Sequence, residues 1–408
     1  MSDNTSIKKQ FIIFTDRYPY GTGESFFENE LSAIARQYKQ VIIFPFDSGK
    51  SNIFRSVPEN VVVLQPVYLN FKNKKELIFK GLFNRSPILP FIKEFFTSKC
   101  WKSGHKTWNL FSYSLVARTL IKKLRKNHQL LEPDVTFYFY WGLRWSQVVP
   151  FLGEEFKNKV LVRFHGSDLY EHTNFNYIPF REKQLQRLDR AVFVSEMGRR
   201  YLTDKYPFTK EKSAVARLGT KDFGLNPFRP SDEIHLVSCS NVVALKRLHL
   251  IASCLTYFDT KVKWTHLGDG PLLKEIEESV KGLPSNVEVH LTGALSHKEL
   301  MAFYAKNQVS LFLNVSSTEG VPVSIMEALS FGIPVIATDV GGTHEIIDNT
   351  VGCLIKPNVT PQELTFQIKE IAYNQDYLIL RANARSRWES VCNENSLMPL
   401  FVEKLLEL

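Results

Sequence analysis

Apolar and polar residues fall in blocks along this chain. FIIFT (11–15) is a short continuous apolar run ending at a turn, the pattern of a strand buried on both faces. RYPYGTGESFFENELSAIARQY follows as a Gly-rich loop and then a helix, with Phe26, Phe27, Leu31 and Ile34 close to helical spacing. VIIFPF (41–46) is the next strand. Strand, helix, strand at this spacing is a βαβ unit and predicts a parallel sheet. After a basic interruption, VTFYFYW, VLVRFH and AVFVS predict further buried strands.

DFGLNPFRPSDEI (222–234) is polar, holds two prolines and a glycine, and reads as an interdomain linker about which two domains would close. Beyond it, HLVSCS, KWTHLG, VEVHLTG, VSLFLNV, IPVIATD and GCLIKP predict strands. LKRLHLIASCL, GPLLKEIEESV, HKELMAFYAK and PVSIMEALSF predict the helices between them. That alternation is a doubly wound α/β domain. The expected organisation is an α/β chain of two Rossmann-like domains, 1–222 and 223–391, with an amphipathic helix at 392–408 packing back on the first. In open parallel sheets ligands bind beyond the carboxyl ends of the strands, so the loops there are where chemistry is expected.

Composition agrees with two domains. The 408 residues exceed one ordinary core, and 44% hydrophobic with 23% charged residues is a globular balance. Cys100, Cys239, Cys254, Cys353 and Cys392 are scattered and form no CxxC pair, which argues against a disulfide framework or zinc site and fits a reducing cytoplasm. No signal peptide or membrane-spanning run is expected. The net charge of +9 is regional: residues 71–126 hold fourteen Lys and Arg against Glu76 and Glu94.

The densest segment is LFLNVSSTEGVPVSIMEALSFGIPVIATDVGGTHEII (311–347). A strand ends at Asn314, and a loop of small residues leads to Glu319 and Gly320. Pro322 suits a first helical turn, where its missing N–H costs nothing. Gly320 lets the backbone approach a ligand. The free N–H groups of that turn, with the positive end of the helix dipole, suit a diphosphate. Glu319 and Glu327 are eight residues apart, about 12 Å on a helix. That is too far for the paired carboxylates of a retaining glycosidase, about 5–5.5 Å apart. It suits two carboxylates at either end of an extended ligand.

EGVPVSIMEALSFGIPVIA closely resembles the hallmark of glycosyltransferase family 4 (glycosyl transferases group 1), E-G-x-P-x-x-x-x-E-A-x-x-x-G-x-P-V-I-A. These are retaining, nucleotide-sugar-dependent enzymes of the two-domain GT-B fold. The resemblance implies that Glu319 contacts donor-sugar hydroxyls and Glu327 holds the ribose hydroxyls. It implies that backbone at Gly320, Val321, Pro322, Val323 and Ser324 lines sugar and phosphate. RFHGSDLY (163–170) is similar to the family's His-Gly-x-Asp, making His165 the donor-site histidine, with Asp168 orienting the loop or meeting acceptor. SCSNVVALKRLHLI (238–251) corresponds to G-R-x-x-x-x-K-G: Lys246 takes the lysine position, where an ammonium neutralises a leaving diphosphate. Asn241 replaces the usual arginine, and Arg247 is the residue expected to supply that charge. THLGDGPLLKEIEE and HLTGALSHKEL resemble the floor near the base, with contacts at Thr292 and Gly293. YPYGTGESFFENEL resembles the N-terminal Gly-rich loop, where Gly21 and Gly23 let the chain approach donor phosphate or acceptor. Glu24 either binds acceptor hydroxyls or favours the helix N-terminus.

The family normally needs no metal or other cofactor, and no clustered ligands suggest one. A nucleoside-diphosphate sugar is the expected co-substrate, and a glycan or polyprenyl-linked lipid the expected acceptor, in cell-surface polysaccharide or glycoconjugate biosynthesis. The basic stretch 71–126 mixes Lys and Arg with aromatics. It reads as a solvated basic face or as a dock on an anionic membrane surface, each basic residue there contributing about 1 kcal/mol. The second reading places a cytoplasmic protein on the inner face of the cell membrane. No nucleic-acid motif accompanies the charge. The rival functions are a sugar-nucleotide epimerase on the same fold and a catalytically degenerate sugar-nucleotide-binding subunit.

Overall fold

The computed structural model of the chain describes residues 8–21, 23–24, 26–49, 53–68, 88–127 and 135–406. Residues 71–87 of the basic stretch lie outside them. The chain divides into two compact units, Met1–Ala216 with Met398–Leu408, and Arg217–Leu397.

Among the described residues the first unit holds a seven-stranded sheet of order β3-β2-β1-β4-β5-β6-β7. Its strands are β1 (Lys8–Thr15), β2 (Tyr38–Pro45), β3 (Val61–Val63), β4 (Thr136–Phe139), β5 (Lys159–Phe164), β6 (Arg190–Phe193) and β7 (Ser213–Val215). Every ladder is parallel. The continuous apolar runs follow from cover on both faces. Ile12, Phe14, Phe44, Phe137, Phe139 and Val162 enter one core layer with Trp145. Their neighbours Phe11, Ile13, Ile43, Tyr138 and Leu161 enter another, with Phe27, Leu31 and Ile34 of the Phe27–Ala35 helix. Successive strand residues point to opposite faces, so a strand buried on both must be apolar throughout. Phe401 completes the second layer, 1% exposed, with the Arg163 guanidinium 5.0 Å from its ring. Arg163 is the exception inside VLVRF. It lies on β5 fully buried, 2.8 Å from Glu30 Oε1, and donates to the Ala216 carbonyl at 2.9 Å.

The second unit holds, among the described residues, a six-stranded sheet of order β10-β9-β8-β11-β12-β13. It comprises β8 (Ile234–Cys239), β9 (Val262–Leu267), β10 (Val287–Leu291), β11 (Leu311–Asn314), β12 (Val335–Thr338) and β13 (Gly352–Ile355). Its ladders are parallel too. Each predicted strand run is present, and so are the four helices predicted between them. β3 and β7 were not predicted: each is three residues long and sits at a sheet edge, too short for a period to register.

The segment 222–234 differs from the sequence reading. Up to residue 233 it carries no regular element, but it is fastened to the second unit rather than left as a free linker. Asn226 is 5% exposed, its amide donating to the Asn307 carbonyl at 2.7 Å and its Oδ1 accepting from Val309 N at 3.2 Å. Asp222 pairs with Arg385 at 2.5 Å. Proline and glycine deny such a segment a helix or strand, yet its polar groups still find partners.

Candidate functional site

In each sheet the strand order reverses once, between β1 and β4 in the first unit and between β8 and β11 in the second. Crevices at the carboxyl ends of strands beside such a reversal are where open α/β sheets bind ligands. The candidate residues stand on the loops leaving these four strands and their neighbours.

In the second unit, the chain leaving β8 ends in a short helical turn, Ala244–Lys246, and the chain leaving β11 runs through Glu319. Lys246 Nζ donates to Glu319 Oε1 at 2.6 Å, and Asn314 Nδ2 approaches the same oxygen at 3.3 Å. The two loops thus meet through the two residues that sequence singled out. Arg247 beside them takes a left-handed backbone, φ +50°. Its Nε donates to the Val315 carbonyl at 2.6 Å and its Nη1 to the Pro357 carbonyl. In this position its guanidinium ties loop backbone together through Nε and Nη1. Asn241 is exposed on the loop after β8.

The helix after Glu319 spans Val323–Ser330, and Pro322 is its N-cap rather than a first-turn residue. No side chain caps it, so the Val323 and Ser324 amides keep the open first turn expected of an anion site. Val321 and Pro322 are buried, and the Gly320 carbonyl accepts from Gly342 N at 2.6 Å. The Gly-rich loop after β12 closes on this turn. Gly341 has φ +56°, and a Cβ there would stand 1.9 Å from the Glu319 carbonyl oxygen. Glu327 sits on the helix with its side chain 8% exposed, and His297 Nε2 lies 3.0 Å from its Oε1.

The floor of this end of the sheet is tightly built. Gly293 has φ +71° and bridges to Gly268. The Thr292 amide donates to the His266 carbonyl at 3.1 Å. Beneath it Trp264 Nε1 donates to Ser238 Oγ at 3.0 Å, Ser238 Oγ lies 2.8 Å from His266 Nδ1, and His266 Nε2 lies 3.1 Å from the Ser240 carbonyl. The pattern reads as indole N–H to hydroxyl, hydroxyl to Nδ1, Nε2–H to carbonyl, a chain that needs neutral imidazole. Burial pushes the His266 pKa down to about 4, against the Ser240 carbonyl that raises it.

In the first unit His165 ends β5 and is buried among rings, 4.2 Å from the Trp141 centroid and 5.1 Å from Tyr140. Among the described residues neither ring nitrogen has a hydrogen-bond partner, and Asp168 Oδ2 stands 3.7 Å from Nδ1. Burial lowers the His165 pKa, opposed by Asp168. Asp168 accepts from His165 N at 2.8 Å and from Gly142 N at 2.6 Å. Burial works against its charge, but the His165 ring and those amides hold its carboxyl below the usual range.

Glu24 accepts from Asp16 N at 3.1 Å, Arg17 N at 2.8 Å, Tyr18 N at 2.7 Å and Trp141 Nε1 at 2.6 Å. Those four donors fill the lone-pair sites of a carboxylate. Both carboxylates are thus buried clamps, which favours the loop-orienting reading of Asp168 and leaves the Glu24 oxygens engaged by protein donors. Glu24 holds the loop after β1 and the Trp141 indole, and Asp168 holds the His165 and Gly142 backbone. Gly21, φ +74°, gives its carbonyl to Arg55 Nε at 2.8 Å, and the Gly23 carbonyl also accepts from Arg55.

Lys246 and Glu319 are therefore brought together, Glu327 stands on the following helix, and His165, Asp168 and Glu24 gather around Trp141. Sequence reasoning missed Trp141, Arg55 and His297, because each acts through a contact distant in sequence and belongs to no motif. Only the chain's aromatic run VTFYFYW pointed toward Trp141. Among the described residues no group of His, Cys, Asp and Glu could hold a metal ion, and no helix is long and apolar enough to cross a membrane.

Residues 226–389 match the family model for glycosyl transferases group 1. Over 158 residues the chain is 32% identical to one component of the phosphatidylinositol N-acetylglucosaminyltransferase of Homo sapiens, covering 36% of this chain and 32% of that protein. Over 214 residues it is 27% identical to WcaL of Escherichia coli K12, provisionally assigned as a colanic acid biosynthesis glycosyltransferase, covering 50% and 52%. The chain thus spans a third to a half of the length of these curated relatives. Anabaena Alr3699/HepE in complex with UDP-glucose superimposes with TM-score 0.65 at 15% identity, over 98% of this chain and 100% of that one. TarM does so with TM-score 0.68 at 13% identity over the whole of both. These likenesses give the fold: α/β, of the GT-B class.

Proposed function

We propose, from the match of residues 226–389 to glycosyl transferases group 1, that this chain is a retaining glycosyltransferase of family 4. It moves a sugar from a nucleoside diphosphate to a hydroxyl of a glycan or lipid-linked acceptor in polysaccharide or glycoconjugate biosynthesis. The observation that carries this reading is the meeting of Lys246 and Glu319, 2.6 Å apart at the loops leaving β8 and β11, beside an uncapped helix that bears Glu327. In this reading Glu319 takes sugar hydroxyls, Lys246 and the helix amides take the diphosphate, and Glu327 takes the ribose.

The donor's anomeric C–O bond to diphosphate breaks, and a new bond to the acceptor oxygen forms on the same face. The leaving diphosphate oxygen takes the acceptor proton, and no carboxylate nucleophile or metal is required. Lys246 and the Val323 and Ser324 amides stabilise the charge that grows on the leaving group. For His165 the proposal keeps the role that the resemblance implies, a donor-site histidine, and burial lowers its pKa.

The test is a panel of UDP-, GDP- and ADP-sugars, read by thermal shift and by transfer to lipid-linked and glycan acceptors. One donor is expected to raise Tm and to be consumed with retention of configuration. Lys246→Ala should cost transfer on the order of a hundredfold while Arg247→Ala acts chiefly on stability. Turnover without acceptor would instead indicate an epimerase, and binding without transfer a degenerate, non-catalytic protein.

The partner proposed for the basic stretch is an anionic membrane surface, with the protein on the inner face of the cell membrane. The described residues 88–126 support it. The Ile88–Thr97 helix is apolar on two sides: Phe91 and Phe95 pack inward, while Leu89 and Phe96 are 79% and 60% exposed. Glu94 fixes that orientation, accepting from Tyr177 OH at 2.9 Å and Phe180 N at 3.2 Å. Trp101 and Trp108 are exposed as well, and so are Lys93, Lys99 and Lys102. Co-sedimentation with anionic but not with neutral liposomes is expected; binding to neither overturns it.

A further inference from the structure

Glu327 would have to meet two neighbouring ribose hydroxyls with one carboxylate plane. A glutamate's terminal torsion is broad, so that plane is not set by the helix alone. His297 sets it. Its Nε2 stands 3.0 Å from Glu327 Oε1, which puts the proton on Nε2, since a carboxylate only accepts. His297 is the first residue of the His297–Lys306 helix, and that helix start is held by a capping box. Glu299 N donates to Ser296 Oγ at 3.3 Å, and Ser296 N donates to Glu299 Oε2 at 2.8 Å. On its other side the imidazole meets the Phe223 ring edge-on, centroids 5.9 Å apart at 69°. A half-exposed ring is thus placed by a fixed helix start and an aromatic neighbour, against a carboxylate that is itself 8% exposed.

Resting on the reading that Glu327 takes the donor's ribose, we propose that His297 is a positioning residue for that contact. It pins Oε1 and so turns Oε2 toward the hydroxyl pair. Holding the carboxylate beforehand removes a rotor that the ligand would otherwise have to freeze. His297 touches neither the sugar nor the diphosphate in this scheme, so it acts on binding and not on the bond-making step.

The experiment compares UDP, GDP and ADP with their 2′,3′-dideoxy counterparts, by calorimetry on the full chain and on His297→Ala and His297→Gln. Alanine at an exposed first helical position is a good helix former, and the fold is expected to survive. For the base that binds, wild type should favour the ribose form. His297→Ala should weaken it up to about tenfold, the cost of immobilising one side chain on binding, and leave the dideoxy form unchanged. His297→Gln, whose amide nitrogen reaches like Nε2, should restore most of the loss. With the donor sugar, KM should rise while kcat holds.

Equal weakening of ribose and dideoxy forms, or tighter binding by His297→Ala, overturns the proposal, the latter because the imidazole would then be competing with the ribose. No preference for ribose in wild type overturns the assignment of Glu327 itself, and His297 with it. A preference for ribose that survives His297→Ala in full overturns only the role of His297.

Discussion

At the scale of single residues, the chain spends ionisable groups on holding loops as freely as on meeting a ligand. Glu24, Asp168 and Arg247 all stand within motifs, and all three are hydrogen-bonded to backbone. The motif tells where a ligand would sit; it does not separate residues that touch it from residues that shape the loop around it. That separation needs hydrogen-bond partners, and these come from segments far away in the chain. Trp141 reaches Glu24 across 117 positions, and His297 reaches Glu327 across 30. Neither link has a local pattern that a sequence could display.

The buried histidines make a prediction at this scale. The folded-state pKa of His266 is about 4, below the ordinary value of 6.5, so between those two values the unfolded chain binds a proton that the folded chain refuses. Its contribution is complete above pH 6.5 and is lost as pH falls toward 4, amounting to about 3 kcal/mol at most. His235 and His165 are lowered too, again by burial first, and act in the same direction. Tm measured from pH 7 to pH 4 should fall less steeply in His266→Gln than in wild type. Parallel curves would show that His266 is not the group titrating.

Among elements, the sequence was most readable where burial is two-sided. Runs such as FIIFT and VLVRF announced β1 and β5, because no polar residue can occupy either face without a partner; Arg163 has its partner in Glu30. The short edge strands β3 and β7 and the attachment of 222–234 were not readable, since both depend on neighbours in space. The glycines were readable as loops but not as fits. Gly341 is required by the Glu319 carbonyl, 1.9 Å from where its Cβ would stand, and by its positive φ. Gly341→Ala should cost at least the 1–2 kcal/mol of a left-handed alanine, with the remainder set by how far the turn is pushed. Because the displaced backbone belongs to Glu319, donor binding should weaken beyond what stability loss explains. Wild-type donor affinity in a folded Gly341→Ala variant would disprove that coupling.

For the molecule as a whole, the two doubly wound sheets followed from the spacing of strands and helices. The division at Ala216 and Arg217 rests on contacts, whereas a C-terminal helix packing back on the first unit is already the reading of the sequence. Phe401 fills the core layer of Phe11, Ile13 and Leu161, with Arg163 over its ring. Phe401→Ala should cost about 3–5 kcal/mol, as for other buried phenylalanines. It should lower the unfolding temperature of the first unit and leave that of the second near its wild-type value, read by calorimetry as two transitions. A single uniform shift would mean that the units unfold as one.

The same return of residue 401 bears on how the protein is made. A ribosome delivers the first two hundred residues early, yet the layer beneath Arg163 still lacks its ring. All of Arg217–Leu397 emerges before Phe401 does. The core layer of the first unit therefore cannot be complete until Phe401 has followed the whole of Arg217–Leu397.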